Sequence, residues 1–239
     1  MGQTQHQIPK LYKALDVTCY LKNRHPVLPK KLEDIFSEFD EDDFNLYITK
    51  ADYSGDNFLV DFELTVQDIN ERGGISQKWT IEAIGHRKNH VSFDFAPFME
   101  IKDDHPLLWE FTDTQCQLYF TGECKDPAKL FYDLYVTHKR MFDKYQYFNI
   151  SFGEETTCFK PFQYSNGLLT QGSKKLMELY GNCLIRNGLD FTIIGERQAK
   201  YWDGDQYILE SQDLKVLFFG DTYIVAKDFS FVQEEENSR

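Results

Sequence analysis

Apolar residues at Leu28, Leu32, Ile35, Phe36 and Phe39 recur at three- and four-residue spacing. That spacing predicts an amphipathic helix starting near Pro29, where proline's missing N–H has no helical partner to lose. The acidic run Asp40–Asp43 follows. Negative charge opposes the dipole at a helix C-terminus, so the helix is expected to stop early and the run to form a solvated turn. The preceding stretch, LYKALDVTCYLKNRHP, fits a helix and a strand equally well.

From residue 44 to 121 the period changes from helical to two. FNLYIT, NFLVDFELTV and KWTIEAIG alternate, and HVSFDFAPF would place Val91, Phe93 and Phe95 on one face. LLWEF and CQLYFTG look like further strands. The connectors SGDN, NERGG and GHRKN have hairpin chemistry. The expectation is an antiparallel meander of about five or six strands.

The helical period returns after Asp126, an N-cap candidate followed by Pro127. Leu130, Leu134, His138 and Phe142 then recur every fourth residue, and Phe131, Tyr135 and Tyr145 widen the stripe, which predicts a helix to about residue 145. QYFNISF follows as a strand, and residues 154–171 read as irregular around an Asn166-Gly167 turn. A further helix is predicted after Ser173, with Leu176, Met177, Tyr180, Cys183 and Leu184 on its apolar face and Asn187-Gly188 closing it. DFTIIG, QYILE, LKVLFFG and TYIVAKDFSFV are strands, the last two joined by a Gly220-Asp221 hairpin.

This order implies an α+β fold: a mostly antiparallel sheet, strand-rich in the N-terminal half, with two or three helices packed on it. Residues 1–25 form an N-terminal arm and 26–239 one α+β domain; 122–126 is the place where two lobes would divide. KLFYDLY and KLMELY echo each other on the two C-terminal helices, but their surroundings differ in length and do not establish a duplication.

Composition adds constraints. Of 239 residues 41% are hydrophobic, and 21 Phe and 14 Tyr supply a substantial core. The net charge of −13 repels phosphate backbones and anionic membranes, which disfavours nucleic acid and membrane partners and favours a basic protein. No apolar run reaches the roughly 18 residues of a membrane helix. The opening MGQTQHQIPK has no signal-peptide core, and His6 stands where a myristoylation motif needs Ser or Thr. The expected location is therefore cytoplasmic, where the Asn149-Ile150-Ser151 sequon has no consequence. The five cysteines are odd in number, widely spaced and without a C-x-x-C pair, so free thiols are expected rather than disulfides or zinc.

Asp52, Ser54, Asp56 and Glu63 fall at ligand positions of a calcium loop. However, Asn57 occupies the position that needs glycine, and both flanks alternate like strands. His86 and His90 have H-x₃-H spacing, with His105 as a third candidate metal ligand, but they lie in a turn beside Arg87 and Lys88. His138 shares an apolar helix stripe, where it is either a hydrogen-bonded core residue or a general base lining a pocket. YWDGDQY gathers Tyr201, Trp202, Asp203 and Asp205 into a turn able to stack and hydrogen-bond a ligand. The sequence contains no P-loop, dinucleotide fingerprint, nucleophile elbow or H-E-x-x-H, and no cofactor is expected. The expected function is binding or regulation, in the manner of an acidic immunity or inhibitor protein facing a basic partner. The alternatives are an unrecognised hydrolase or transferase, with His138 as base, and a small-molecule-binding module.

Overall fold

The computed structural model describes residues 28–39, 43–55, 57–66, 75–148, 164–210 and 213–234. The expected N-terminal arm, the LYKALDVTCYLKNRHP stretch, Cys19, Cys158, the sequon and most of the acidic run lie outside them. In chain order the elements are α1 (Lys30–Glu38), β1 (Phe44–Ser54), β2 (Asn57–Val66), β3 (Ile75–Ile84), β4 (Lys88–His90) and β5 (Met99–Lys102). A 3-10 turn (Pro106–Leu108) leads into α2 (Trp109–Thr112), followed by β6 (Gln115–Thr121), α3 (Pro127–Phe142), β7 (Asn166–Ser173) and α4 (Lys174–Arg186). The C-terminal part comprises β8 (Asp190–Arg197), β9 (Lys200–Trp202), β10 (Tyr207–Leu209), β11 (Lys215–Phe219), β12 (Thr222–Ala226) and β13 (Asp228–Gln233).

The strands form three sheets and a separate hairpin, all antiparallel, which makes the fold a strand-rich α+β fold. The first sheet has the order β1-β2-β3-β13, the second β4-β12-β11-β5 and the third β7-β6-β8, and β9 and β10 form the hairpin. The second sheet lies at the centre. A strand covered on one face alternates apolar and polar residues, whereas one covered on both is apolar throughout, like VLFF and TYIVA. Leu217, Phe219, Ile224 and Ala226 pack into one core with the first sheet and Leu32 of α1. Their neighbours Val216, Phe218, Tyr223 and Val225 pack into a second core with β6, α3 and α4. Leu118 and Phe120 before residues 122–126, and Leu130 and Leu134 after them, share that second core.

Gly220 turns β11 into β12 at φ +59, and a Cβ there would lie 2.8 Å from the Ala96 Cα, so the tight hairpin requires glycine. GHRKN is not a hairpin within one sheet. It carries the chain from β3 in the first sheet to β4 in the second, and Lys227 makes the return crossing from β12 to β13. The two crossings are tied by Arg87 N–H to Val225 O at 2.8 Å and Lys227 N–H to Ile84 O at 3.0 Å.

Several expectations are corrected. Only β1, β2 and β3 form a meander; β4, β5 and β6 belong to other sheets. HVSFDFAPF is strand only at His90, and Phe93 and Phe95 are exposed. LLWEF forms the 3-10 turn and α2, because Pro106 opens a turn capped by the His105 ring. TYIVAKDFSFV breaks at Lys227 into two strands in different sheets. Residues 166–173 form β7 rather than an irregular stretch, and 146–148, the described part of QYFNISF, are not a strand. Helix α3 ends at Phe142, where Asp143 takes φ 48, rather than near residue 145.

Candidate functional site

Arg87, at the sheet crossing, anchors the β9–β10 hairpin. Its guanidinium pairs with Glu210 through both Nε and one terminal nitrogen, while the other terminal nitrogen donates to the Gly85 and His86 carbonyls at 2.9 and 3.1 Å. The guanidinium carbon also sits 3.6 Å from the centre of the Tyr201 ring. Strand alternation then directs Tyr201 inward and Lys200, Trp202, Tyr207 and Leu209 to the opposite face. Trp202 and Tyr207 are cross-strand partners with ring centroids 5.2 Å apart. Asp203 closes the tip: its Oδ1 accepts from the Asp205 and Gln206 N–H groups at 2.9 and 2.8 Å. These hydrogen bonds hold its carboxyl below the usual range. Asp205 is exposed at the same tip.

Below the hairpin, α2, the adjoining ends of β6, β7 and β8, and the C-terminal end of α3 enclose a cleft of about 440 Å³. It shares Glu110, Gln115 and Arg197 with a hollow of about 830 Å³ walled by Lys200, Tyr207 and Leu209. The two form one groove. Gln115 is committed to structure: its amide donates to the Trp109 and Asp113 carbonyls at 3.0 and 3.1 Å. Lys88 and Glu110 pair at 2.5 Å. Among the described residues, the side-chain amides of Gln117, Gln146 and Gln171 make no hydrogen bond, and Arg197 and Lys200 have no carboxylate partner. Trp109 lines the cleft, and its indole Nε1 is buried without a hydrogen-bond partner among the described residues.

Two nucleophile-bearing side chains line the cleft. Burial, together with the Glu196 and Asp113 carboxylates, raises the Cys116 thiol above its usual range, so it stays protonated. Ser173 Oγ accepts the Leu176 N–H as the N-cap of α4. Neither has the base contact that activates a nucleophile.

His138 is fully enclosed. Its Nε2 lies 2.9 Å from the Gln146 carbonyl, which accepts only, so Nε2 carries the proton and Nδ1 accepts from the Tyr180 hydroxyl at 2.7 Å. Burial lowers its pKa, which keeps the ring neutral. Both ring nitrogens are thus engaged within the core, against Phe142 and Phe148.

His86 and His90 are held apart by the crossing. His86 packs between Tyr53 and Phe58 and accepts from the Asn89 amide at 2.9 Å, while His90 stacks on Tyr223. His86 is half-buried rather than at a solvated tip, and burial and Arg87 lower its pKa. Among the described residues no three His, Cys, Asp or Glu side chains converge as a metal site would require. Asp52 and Glu63 of the calcium-like stretch lie on β1 and β2; Glu63 pairs with Tyr47, five residues from Asp52. They are therefore roughly 16 Å apart along the hairpin. Asp56 lies outside the described residues.

His105 caps the 3-10 turn, its Nδ1 accepting the Leu107 N–H at 3.2 Å. Burial, then Lys102, pushes its pKa down to about 4. An unfolded histidine titrates near 6.5, so below that pH the unfolded chain binds more protons and stability falls with pH. The contribution is fully present above pH 6.5 and is lost as pH falls toward 4. Allowing for solvent on the exposed side of the ring, the loss is about 2 kcal/mol. His105→Asn, which keeps a cap acceptor without the titration, is expected to flatten that part of a urea-unfolding pH profile.

No protein-family model, no curated protein and no solved structure matches the chain. Sequence patterns pointed to the hairpin turn but not to the cleft. Trp109 lay within an expected strand, and Gln117 and Gln171, which pair across β6 and β7, look like ordinary solvent-facing positions.

Proposed function

We propose that the protein is a small-molecule-binding module whose site is this groove, and that its ligand is polar and bears a negative charge. The observation that carries the proposal is the set of uncommitted polar groups along the groove, beside which the buried Trp109 indole N–H has no partner among the described residues. A buried donor without an acceptor costs about 1–3 kcal/mol, and a ligand oxygen recovers it only when the ring turns its N–H toward the cleft. The three uncommitted glutamine amides add donors and acceptors, and Arg197 and Lys200 supply unpaired positive charge. Among the described residues, neither Cys116 nor Ser173 in the cleft has an activating base, which favours binding there over catalysis.

The test is a thermal-shift screen with sugars, sugar acids, nucleotides and dipeptides, since a ligand that binds only the folded state raises Tm. Trp109→Phe keeps the ring but removes the donor. It is expected to weaken binding of any hit about tenfold while changing the stability of the free protein by less than about 1 kcal/mol. No hit across the panel, or a hit indifferent to Trp109→Phe, would count against the groove.

The net charge of −13 supports a second reading, an acidic regulatory protein facing a basic one. Such a complex would use a surface other than the groove, whose unpaired charges are positive. Affinity capture at low and then moderate salt tests it: a basic partner is expected to dissociate as salt rises.

A further inference from the structure

We infer, building on the groove as a ligand site, that its ligand is an acidic saccharide: a pyranose chain carrying a carboxylate. Three kinds of chemistry lie in sequence along the groove. At the inner end, Gln117, Gln146 and Gln171 each offer a carbonyl and an amino group, and the Trp109 ring lines the wall beside them. Sugar hydroxyls donate and accept in the same way, so an uncharged, amide-rich wall complements them. In the shared middle stands Arg197, with Lys200 beside it in the hollow. A guanidinium without a partner suits a carboxylate, which it grips through two parallel hydrogen bonds.

At the outer end Tyr207 lines the hollow, with Trp202 against it on the same face of the hairpin; they are exposed by 68% and 55%. Their planes meet at 66°, so they do not form a parallel slot for a flat nucleobase. Each instead presents a separate electron-rich face, which suits the apolar C–H face of a puckered sugar ring. A polynucleotide is further opposed by the net charge of −13. An extended peptide would be expected to pair with the free edge of β8, but the β6–β8 register shifts between Gln115 and Gln117, and Gly195 at φ +70 bends that edge where the groove passes.

The experiment is a glycan array carrying neutral and uronate-containing oligosaccharides, followed by isothermal titration of the best acidic hit into wild type, Arg197→Gln and Trp202→Ala. Arg197 has no ion pair to lose among the described residues and Trp202 is exposed, so both variants are expected to keep the wild-type Tm. The expected result is selective retention of uronate glycans, with each substitution weakening binding about tenfold. Neutral and acidic glycans bound equally, or acidic binding indifferent to both substitutions, would overturn the inference. No glycan bound while a nucleotide or dipeptide raises Tm would also overturn it and leave the groove standing. Silence in both screens would remove the groove and the saccharide together.

Discussion

Replacing Glu210 with alanine is expected to cost about 3–5 kcal/mol of stability, because it leaves a buried guanidinium without its counter-charge. The Glu210 side chain is 1% exposed and that of Arg87 8%, so water cannot take over the lost contacts. The same change should loosen the β9–β10 hairpin, since among the described residues the Arg87 guanidinium then keeps two carbonyls and the Tyr201 ring but no contact to Glu210. Urea unfolding measures the first effect, and cleavage by a protease within 200–209 the second. Replacing the pair together, as Arg87→Met with Glu210→Leu, should restore much of the stability, because desolvation offsets most of a buried pair's attraction. A loss below about 1 kcal/mol in Glu210→Ala would show that the pair is not the anchor.

His138→Ala carries the second large effect, also about 3–5 kcal/mol. It opens a cavity beside Phe142 and removes the imidazole that pairs with both the Tyr180 hydroxyl and the Gln146 carbonyl. Tyr180 is fully buried, so its hydroxyl cannot turn to bulk solvent. The loss would appear in urea unfolding. A variant of native stability that had lost a ligand-dependent or catalytic property would instead mean that the ring is held for its reactivity.

Helices α1, α3 and α4 were legible because their signals are local, whereas α2 was not. Asp126 accepts the Lys129 N–H at 3.0 Å and Ser173 the Leu176 N–H at 3.3 Å, as their positions before apolar periodic runs suggested. Pro29 opens α1 and Asn187 closes α4 for similarly local reasons. Alternation likewise exposed most strands, but not their partners. Nothing in KWTIEAIG or DFSFV indicates that β13 returns across the whole chain to pair with β3. VLFF and TYIVA were legible as a hairpin of two strands, but not as strands covered on both faces that divide two cores. HVSFDFAPF shows the opposite failure: it alternates well, yet only Ala96 makes an isolated bridge, to Leu46.

The groove was the least legible feature, because Lys88, Trp109, Gln146 and Arg197 meet only through the packing of the second and third sheets against the helices. YWDGDQY was the one stretch whose composition pointed toward it. Within that stretch the roles divide: Tyr201 stacks under Arg87, Asp203 builds the turn, and Trp202 is left open.

The three tryptophan indoles offer the most direct measurement. Trp79 donates to Gln77 at 3.1 Å within the first-sheet core, away from the groove, and serves as an internal control. A ¹⁵N-edited NMR spectrum recorded during titration with a ligand that raises Tm resolves all three indole N–H signals. The account predicts that the Trp109 signal shifts downfield as its donor gains an acceptor, that Trp202 shifts with it, and that Trp79 stays in place. A tight-binding ligand that leaves Trp109 and Trp202 unmoved would contradict the account and place the binding site elsewhere on the molecule.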